Sequence, residues 1–324
     1  MREITITARD EYTRHGEQTV RNGMTGKKVF TWPTPPPLAD IQRDEVLIAR
    51  IDGVVAGRMV LESVYHPFAE LVNLEVAPQY RGRGVGSRLV GEAVRRAGER
   101  GFMAVFLQTE IDNTSAHKLY TRMGFLPTAA RVMLRMVKFL NLPALHVFLA
   151  EHPLAMMDSR SIEDGWILAW HDAVSDDMLE IEMSGGSCQG DSGGLGPGIR
   201  RIRFHSRETG LDSTFAAPPE VRRGEAFEAA ISVKNTGAEL VEGRCRLLLN
   251  AGCIPADGSK GTQGFRLEPG GSVTVPLAVT ITDEFNGEPL TKSCSYPSLP
   301  VCAEILCGDH AAWMCAQVLP QQHG

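Results

Sequence analysis

The segment between residues 76 and 89 constrains the fold of this 324-residue chain more than any other. It reads VAPQYRGRGVGSRL, and it follows a β-type run, ELVNLEV, at 70–76. From residue 85 the apolar side chains recur with the period of an α-helix, at Val85, Leu89, Val90, Ala93, Val94 and Ala97. The segment therefore predicts that a strand ends, a glycine-rich turn follows and an amphipathic helix begins.

The glycine-rich turn predicts an anion-binding site. The first amides of a helix lack intrahelical partners, and together with the helix dipole they attract a phosphate. Gly82, Gly84 and Gly86 let the backbone approach such a group, and Arg81 and Arg83 add full positive charges. The spacing G-x-G-x-G differs from the dinucleotide pattern G-x-G-x-x-G, and no G-K-S/T follows as in a Walker loop. The alternative is a tight turn with surface arginines.

A second informative segment begins with GFMAVFLQTE at 101–110, which has the composition of a buried strand. The following NTSAHKLYTRMGF predicts a helix that Asn113 or Thr114 caps and Gly124 ends. Tyr120 lies on the apolar face of this helix. Its side chain is either a core aromatic group or a proton donor.

Further elements are expected before the glycine-rich turn. EITIT at 3–7 alternates like a strand, and VLIARIDGVVAGRMVLESV at 46–64 predicts a hairpin around the Asp52-Gly53 turn. The polar residues 10–23 predict a helix, and TWPTPPPLAD at 31–40 predicts a proline-rich loop.

In this order, the two segments resemble the signatures of the GCN5-related N-acetyltransferase (GNAT) superfamily. The family pattern Q/R-x-x-G-x-G/A is matched by Arg81, Gly84 and Gly86. The pattern N-x-x-(A)-x-x-x-Y-x-x-x-G-F is matched by Asn113, Ala116, Tyr120, Gly124 and Phe125. The similarity covers roughly residues 1–138. It implies the α/β (α+β) GNAT fold, with a mixed central sheet, over residues 1–140.

The resemblance implies an acetyl-CoA-dependent N-acetyltransferase, with acetyl-CoA as co-substrate and no metal. An amine would attack the thioester directly, and Tyr120 would protonate the departing thiolate. The backbone of Leu74 to Val76 would pair with the pantetheine arm, and Asn113 would touch the CoA chain. The pyrophosphate would be held by Arg81, Gly82, Arg83, Gly84, Val85, Gly86 and Ser87.

Two glutamates are candidates for the general base. In histone-type members of the family a glutamate lies eleven positions before the first motif residue, which corresponds to Glu70 here. Glu75, at the other end of the same strand, is the rival. Glu70 is slightly favoured. Because many family members act through a chain of waters, the reaction need not depend on either carboxylate.

The acceptor is expected to be a small-molecule or peptide primary amine. The family shapes this site with the region that corresponds to residues 11–40 and with the last hairpin, here a turn expected around 126–130. Trp32, Tyr65 and His66 could line an aromatic pocket or simply pack.

The second half predicts mainly β structure. Residues 141–212 are expected to form a linker and β-rich connecting segment, with a short bridge helix within 141–157 and two strands around an acidic loop within 165–183. His171, Asp172, Asp176 and Asp177 in that loop follow no known metal-ligand spacing, so a solvated turn is favoured. Short apolar runs at 213–324 predict a sandwich that weakly resembles bacterial immunoglobulin-like domains.

Composition and cysteine usage narrow the class of protein. Hydrophobic residues make up 43% and charged residues 22% of the chain, as in globular proteins. All seven cysteines follow residue 187 without a C-x-x-C pair, which favours reduced, buried thiols. CQGDSGG at 188–194 matches the nucleophile loop of trypsin-like proteases, but no preceding two-barrel fold could supply the other catalytic residues, so a flexible loop is favoured.

The distribution of charged and apolar residues limits the cellular location and the partners that can be expected for the protein. Residues 1–150 carry a net charge of +5 and the remainder −11, and the basic residues are too dispersed for a nucleic-acid stripe. Neither a signal peptide nor a membrane span of about 20 apolar residues is predicted, so a cytoplasmic protein is expected. The alternative function is a CoA-binding or inactive GNAT module. In either case the sandwich is a candidate surface for a homodimer or another protein partner.

Overall fold

A computed structural model of the chain describes residues 4–10, 45–65, 68–130, 133–140, 146–152, 154–163, 165–184, 198–207, 209–248, 253–256, 258, 261–281, 299–308 and 310–321. Of these residues, those up to 140 belong to one compact unit and those from 146 onwards to another. Several sequence predictions lie outside the described residues: the helix after residue 10, the loop at 31–40 with Trp32, His66, the side chain of Tyr65 and the loop at 188–194.

The first unit contains a seven-stranded mixed sheet with the order β1-β2-β3-β4-β5-β7-β6. Neighbouring strands are antiparallel except for β4 and β5, which are parallel and therefore need a crossover, supplied by helix α1. The elements are β1 Ile4–Asp10, β2 Glu45–Ile51, β3 Val54–Tyr65, β4 Phe68–Val76, α1 Val85–Glu99, β5 Ala104–Glu110, α2 Thr114–Arg122, β6 Leu126–Ala130 and β7 Met133–Phe139. This is the GNAT fold that the sequence predicted.

Among the described residues of the first unit, the predicted hairpin turn is confirmed and one other predicted turn is not. Asp52 and Gly53 have φ values of 52° and 77°, as a type I′ hairpin turn requires. The prediction of a turn around 126–130 was wrong, because these residues form β6 and pair with β7. The chain leaves α2 through Gly124, whose φ is 81°, and is already extended at Leu126.

The core of the first unit lies between the sheet and the two helices. Helix α1 buries one face, and its first turn packs closely against β3 at Gly57. A Cβ atom at Gly57 would lie 2.7 Å from the Glu75 carbonyl oxygen and 3.0 Å from Cγ1 of Val85. Glycine is therefore required at this point of β3, since any side chain would displace α1. The buried residues of α1 are Val85, Leu89, Val90, Ala93 and Ala97.

The second unit consists of β-strands apart from the short helix α3 among its described residues. An antiparallel series runs β8-β9-β10-β11-β12-β14-β18-β16, and a second series runs β20-β19-β15-β17, with β13 parallel to β20. The pairing of Ile199 with Cys315 joins the two series. The elements are α3 Phe148–Glu151, β8 Met156–Ile162, β9 Gly165–His171, β10 Met178–Ser184, β11 Gly198–His205, β12 Gly210–Ala216, β13 Glu220–Arg222, β14 Ala226–Asn235, β15 Val241–Leu248, β16 Cys253–Pro255, β17 Thr262–Leu267, β18 Ser272–Ile281, β19 Leu299–Cys307 and β20 His310–Gln321.

The region expected to be a linker contributes to this same sheet system. Strands β8 to β11 lie within 141–212 and continue through β12 into β14, so the 212/213 boundary falls inside one strand, β12. The acidic loop between β9 and β10 is present. Oδ1 of Asp172 accepts a hydrogen bond from the Val174 amide at 2.9 Å, and Nε2 of His171 lies 3.1 Å from Oδ1 of Asp176.

The five described cysteines of the second unit are buried, and no disulfide joins them to one another, as predicted for thiols in a core. Burial raises the pKa of Cys245, Cys253 and Cys307 to about 12. Within the described parts of the chain, no group of three or more His, Cys, Asp or Glu side chains could hold a metal ion. No helix there is long and apolar enough to cross a membrane.

Candidate active site

The central feature of the site is a parting of strands β4 and β5. The two strands pair from Phe68 to Leu71 only, while the rest of β4 continues to pair with β3. At the parting, Asn73 has a φ of 54°, and the register against β3 shifts between Arg58 and Val60. These are the marks of a β-bulge, which bends its strand and increases the local twist. The end of β4 therefore diverges from β5 and leaves a wedge between them.

The bulge also changes which side chains of β4 face the helices. Leu71, Leu74 and Val76 all pack on the core shared with α1, although Leu71 is separated from Leu74 by an odd number of positions. An unbroken strand would point these two side chains to opposite faces. Glu70, next to Leu71, accordingly lies on the other face of the sheet.

Beside the wedge, α1 begins with unpaired amides. Gly84 is the N-cap residue with a φ of 81°, and no side chain in the described part of the chain caps the helix. The first-turn amides of Val85, Gly86 and Ser87 thus have no intrahelical partners. A Cβ atom at Gly82 or Gly84 would meet no atom of the described residues within 4 Å, so these residues leave the space above the turn open. Both glycines have positive φ values, 73° and 81°, which explains the residue type at each position.

The two arginines of the turn are exposed and lie near the end of β4. Nε of Arg81 donates to the Val76 carbonyl at 3.2 Å, and the Arg83 guanidinium lies 5.7 Å from the centre of the Tyr80 ring. Since the Ala77 amide bonds to Ala56 of β3, the alternation of the ladder directs the Val76 backbone groups away from β3. The turn therefore brings the positive charges of Arg81 and Arg83 and the unpaired amides of α1 close to the Val76 backbone groups that do not pair with β3.

Tyr120 lies on α2 within the same core. Its side chain is 6% exposed, and its ring meets that of Phe125 edge to face at 5.7 Å. Burial raises the pKa of Tyr120 to about 12. The preceding residue, Leu119, packs against the first turn of α1, since a Cβ at Gly86 would lie 3.4 Å from it. A Cβ at Gly86 would also lie 3.8 Å from the Val76 side chain. The predicted site residues Gly86 and Val76 therefore lie close together.

Both ends of α2 are held by side chains. Oδ1 of Asn113 accepts the Ala116 amide at 3.1 Å, which confirms Asn113 as the helix cap. Its Nδ2 donates to Glu110 at 3.4 Å, so both ends of the Asn113 amide are engaged within the protein. At the other end, Nζ of Lys138 donates to the Met123 carbonyl at 2.9 Å. These bonds position Tyr120 against the sheet.

The two candidate bases occupy different environments. Glu70 is 3% exposed and lies directly opposite Glu62, which is fully buried on β3. Glu75 is exposed and forms an ion pair with Arg58 at 3.0 Å. The hydrogen bonds from Arg58 hold the pKa of Glu75 below its usual range. Glu75 is thus a poor proton acceptor at neutral pH, since a general base is most effective when its pKa is near the working pH.

Sequence reasoning missed four residues that shape this site: Gly57, Arg58, Glu62 and Asn73. A signal for the bulge was present, because the apolar positions of FAELVNLEV change phase between Leu71 and Leu74. No local pattern reveals that Glu62 faces Glu70, since that pairing depends on the register between two strands.

Comparison with known proteins gives a consistent result for this part of the chain. Residues 17–125 match the acetyltransferase (GNAT) family. A mycothiol acetyltransferase of Nocardia farcinica is 39% identical over 61 residues, which are 19% of this chain and 20% of that protein. Streptothricin acetyltransferase A of Bacillus subtilis is 33% identical over 78 residues, which are 24% of this chain and 45% of that protein. The chain therefore spans less than half of either relative.

Among solved structures, the PaiA N-acetyltransferase of Thermoplasma acidophilum, in complex with coenzyme A, is similar at 24% identity. The match covers 29% of this chain and 59% of that one, with a TM-score of 0.28.

Proposed function

Because residues 17–125 of this chain belong to the acetyltransferase (GNAT) family, we propose that the protein is an acetyl-CoA-dependent N-acetyltransferase acting on a primary amine. One observation carries the proposal: the wedge between β4 and β5 opens beside the unpaired first-turn amides of α1. An elongated ligand with a phosphate group and an extended arm fits this arrangement, because the amides suit the phosphate and the free edge of β4 suits the arm.

Acetyl-CoA would supply an activated thioester, whose acetyl group passes to the amine while the thiolate leaves. In this assignment the diphosphate is held by the amides of Val85 to Ser87, with Arg81 and Arg83 adding positive charge. The open space above Gly82 and Gly84 gives the group room to approach the backbone. The Val76 backbone, which is directed away from β3, binds the extended arm.

Tyr120 is the proposed proton donor to the departing sulfur. A phenol whose pKa is raised to about 12 stays protonated across the neutral range, so it can donate a hydrogen bond or a proton throughout. It follows Leu119, whose side chain packs against Gly86 at the start of α1, and this neighbourhood supports the assignment. Asn113 acts in this proposal chiefly by holding α2, since its side-chain amide already bonds within the helix cap.

Glu70 is the proposed proton acceptor for the amine, in preference to Glu75. It lies buried on the sheet face opposite α1, close to the point where β4 parts from β5. The acceptor is a small-molecule or peptide amine in this proposal. The alternative is a CoA-binding module without turnover, whose second unit binds another protein.

A binding and turnover experiment on the full chain tests the proposal. Calorimetry should detect binding of coenzyme A, and a thiol-release assay with acetyl-CoA and a panel of amines should detect transfer. Tyr120→Phe should lower kcat by at least about tenfold while leaving the Kd for coenzyme A within about twofold. Binding without turnover for any amine would favour the alternative, and absence of binding would refute both.

A further inference from the structure

Two of the buried cysteines of the second unit lie directly opposite each other on neighbouring antiparallel strands. Cys302 of β19 pairs with Cys315 of β20 in the register of this hairpin. Both residues are fully buried. Their thiol groups are in contact, since the Cys302 side chain forms a hydrogen bond with that of Cys315. The two sulfur atoms are therefore already neighbours in the reduced protein.

The position within the ladder decides how close the two side chains can come. The β19–β20 hairpin closes at the pair of Cys307 and His310, five pairs away from Cys302 and Cys315. The pair that flanks a two-residue loop is hydrogen-bonded, and the two kinds of pair alternate, so Cys302 and Cys315 occupy a non-hydrogen-bonded position. In agreement, the Cys315 carbonyl oxygen points towards Gly198 of β11 rather than towards β19. Cα atoms at such positions are about 4.5 Å apart, a separation that a disulfide can span.

A second pair of thiols shows what this arrangement requires. Cys245 of β15 and Cys307 of β19 are also buried, and Cys307 adds to the effect of burial on the pKa of Cys245. Cys245 lies directly opposite Ile305, however, so Cys307 is only its diagonal neighbour. Diagonal Cα atoms are about 7–8 Å apart, which is beyond the reach of a disulfide without a backbone shift. The opposed pair, Cys302 and Cys315, needs no such shift.

A third thiol adjoins the opposed pair. Cys253 belongs to β16 in the other strand series, and its Sγ lies 3.9 Å from the Pro300 carbonyl oxygen of β19. Burial raises the pKa of Cys253, and the nearby Cys315 adds to this effect. Because β16 does not pair with β20, no shared ladder sets the separation of Cys253 from Cys315. Cys253 is thus the competing partner for a bond with Cys315.

Burial also controls when these thiols can react. It raises the pKa of Cys302 well above its usual range, and the hydrogen bond with Cys315 adds to this effect. Since the thiolate is the reactive form, little of it is present at neutral pH in the folded protein. An oxidant reaches neither sulfur unless β19 and β20 separate locally or have yet to fold. Once the strands pair again, the bond is shielded from reductants by the same burial.

We propose that Cys302 and Cys315 form a cross-strand disulfide when the protein meets a small-molecule disulfide of the glutathione type. This inference concerns the second unit alone and does not depend on the proposed function. One cysteine, as its thiolate, attacks a sulfur of the small disulfide, which breaks that S–S bond and releases one small thiol. The other cysteine, also as its thiolate, then displaces the second small thiol from the mixed disulfide. Two protein thiols are oxidised, the small disulfide is reduced to two thiols, and the two cysteine protons pass to the released sulfur atoms.

Peptide mapping of the full chain tests the proposed bond. The protein is refolded from urea in a buffer of reduced and oxidised glutathione, and the remaining thiols are alkylated. Cleavage after Glu304 and before Asp309 places Cys302 and Cys315 on separate peptides, which mass spectrometry detects as a linked pair. This pair should be at least about tenfold more abundant than any link between Cys245 and Cys307.

Urea titration followed by tryptophan fluorescence measures the consequence, since Trp166, Trp170 and Trp313 lie in the second unit. Oxidation should shift the unfolding midpoint of the wild type to higher urea, because a disulfide restricts the unfolded chain. Cys302→Ala should abolish this shift, whereas the matched control, Cys245→Ala, should keep it.

A wild-type protein without the link between Cys302 and Cys315 would overturn the inference. A dominant link from either residue to another cysteine, such as one between Cys253 and Cys315, would overturn it as well. Because the mapping uses the wild type, these outcomes do not depend on whether the variants fold.

Discussion

The Arg58 guanidinium donates two parallel hydrogen bonds to the Glu75 carboxylate, from Nε to Oε2 at 3.1 Å and from Nη2 to Oε1 at 3.0 Å. This bidentate pair spans β3 and β4 beside the bulge at Asn73. Because the pair favours the charged carboxylate, it lowers the pKa of Glu75. Glu75 is therefore bound to a structural partner, whereas Glu70 lies buried on the same strand.

The first prediction separates these two carboxylates. Glu70→Gln should lower kcat by about a hundredfold at neutral pH, because general-base catalysis contributes on the order of 10²–10⁴. Glu75→Gln should change kcat by less than about threefold, because the Glu75 carboxylate is a poor base and its ion pair with Arg58 is exposed. The measurement is the pH profile of acetyl transfer for both variants. A larger loss in Glu75→Gln than in Glu70→Gln would reverse the assignment.

The second prediction concerns the first turn of α1. Gly84→Ala should lower the free energy of unfolding by about 1–2 kcal/mol, because alanine at a φ of 81° is strained even though none of the described residues obstructs its Cβ. It should also weaken coenzyme A binding by tilting the amides that follow.

The matched control for that prediction is Gly98→Ala in the last turn of the same helix. A Cβ at Gly98 also meets no described atom within 4 Å, but no positive φ is required there. Alanine should therefore stabilise the protein by up to about 1 kcal/mol through helix propensity. Chemical denaturation measures both variants, and equal effects on stability would contradict the role of the backbone conformation.

The third prediction concerns alkaline stability. The folded protein holds the Tyr120 proton up to a pKa of about 12, while the unfolded chain releases it near the ordinary value of about 10. The stabilisation that this pKa difference gives the folded protein is fully present below pH ~10 and is lost as pH rises towards ~12. Between pH 9 and pH 11 this residue should lower the free energy of unfolding by about 1 kcal/mol.

Urea titrations at the two pH values, on wild type and Tyr120→Phe, isolate this effect. The variant lacks the titrating phenol, so its stability should fall less over the interval than that of the wild type. The difference between the two proteins cancels the other groups that titrate there, including the buried thiols. An identical decline in both proteins would show that Tyr120 does not keep its proton in the folded state.

Much of the first unit followed from short-range patterns in the sequence. The Asp52-Gly53 turn, the cap at Asn113 and the stop at Gly124 each depend on backbone preferences that a few neighbouring residues decide. The amphipathic period of α1 also needed no distant partner. The turn predicted at 126–130 failed because pairing with β7 holds those residues extended.

The amino-acid sequence by itself determined the glycine-rich start of α1 and the placement of Tyr120 on the apolar side of α2. Only the tertiary structure decided that β4 leaves β5 after Leu71, that Glu62 faces Glu70, and that Arg58 engages Glu75. The physical reason is the range of the interactions. Glycine conformation and helix periodicity act over a few residues, whereas strand register and burial arise only when distant segments pack together.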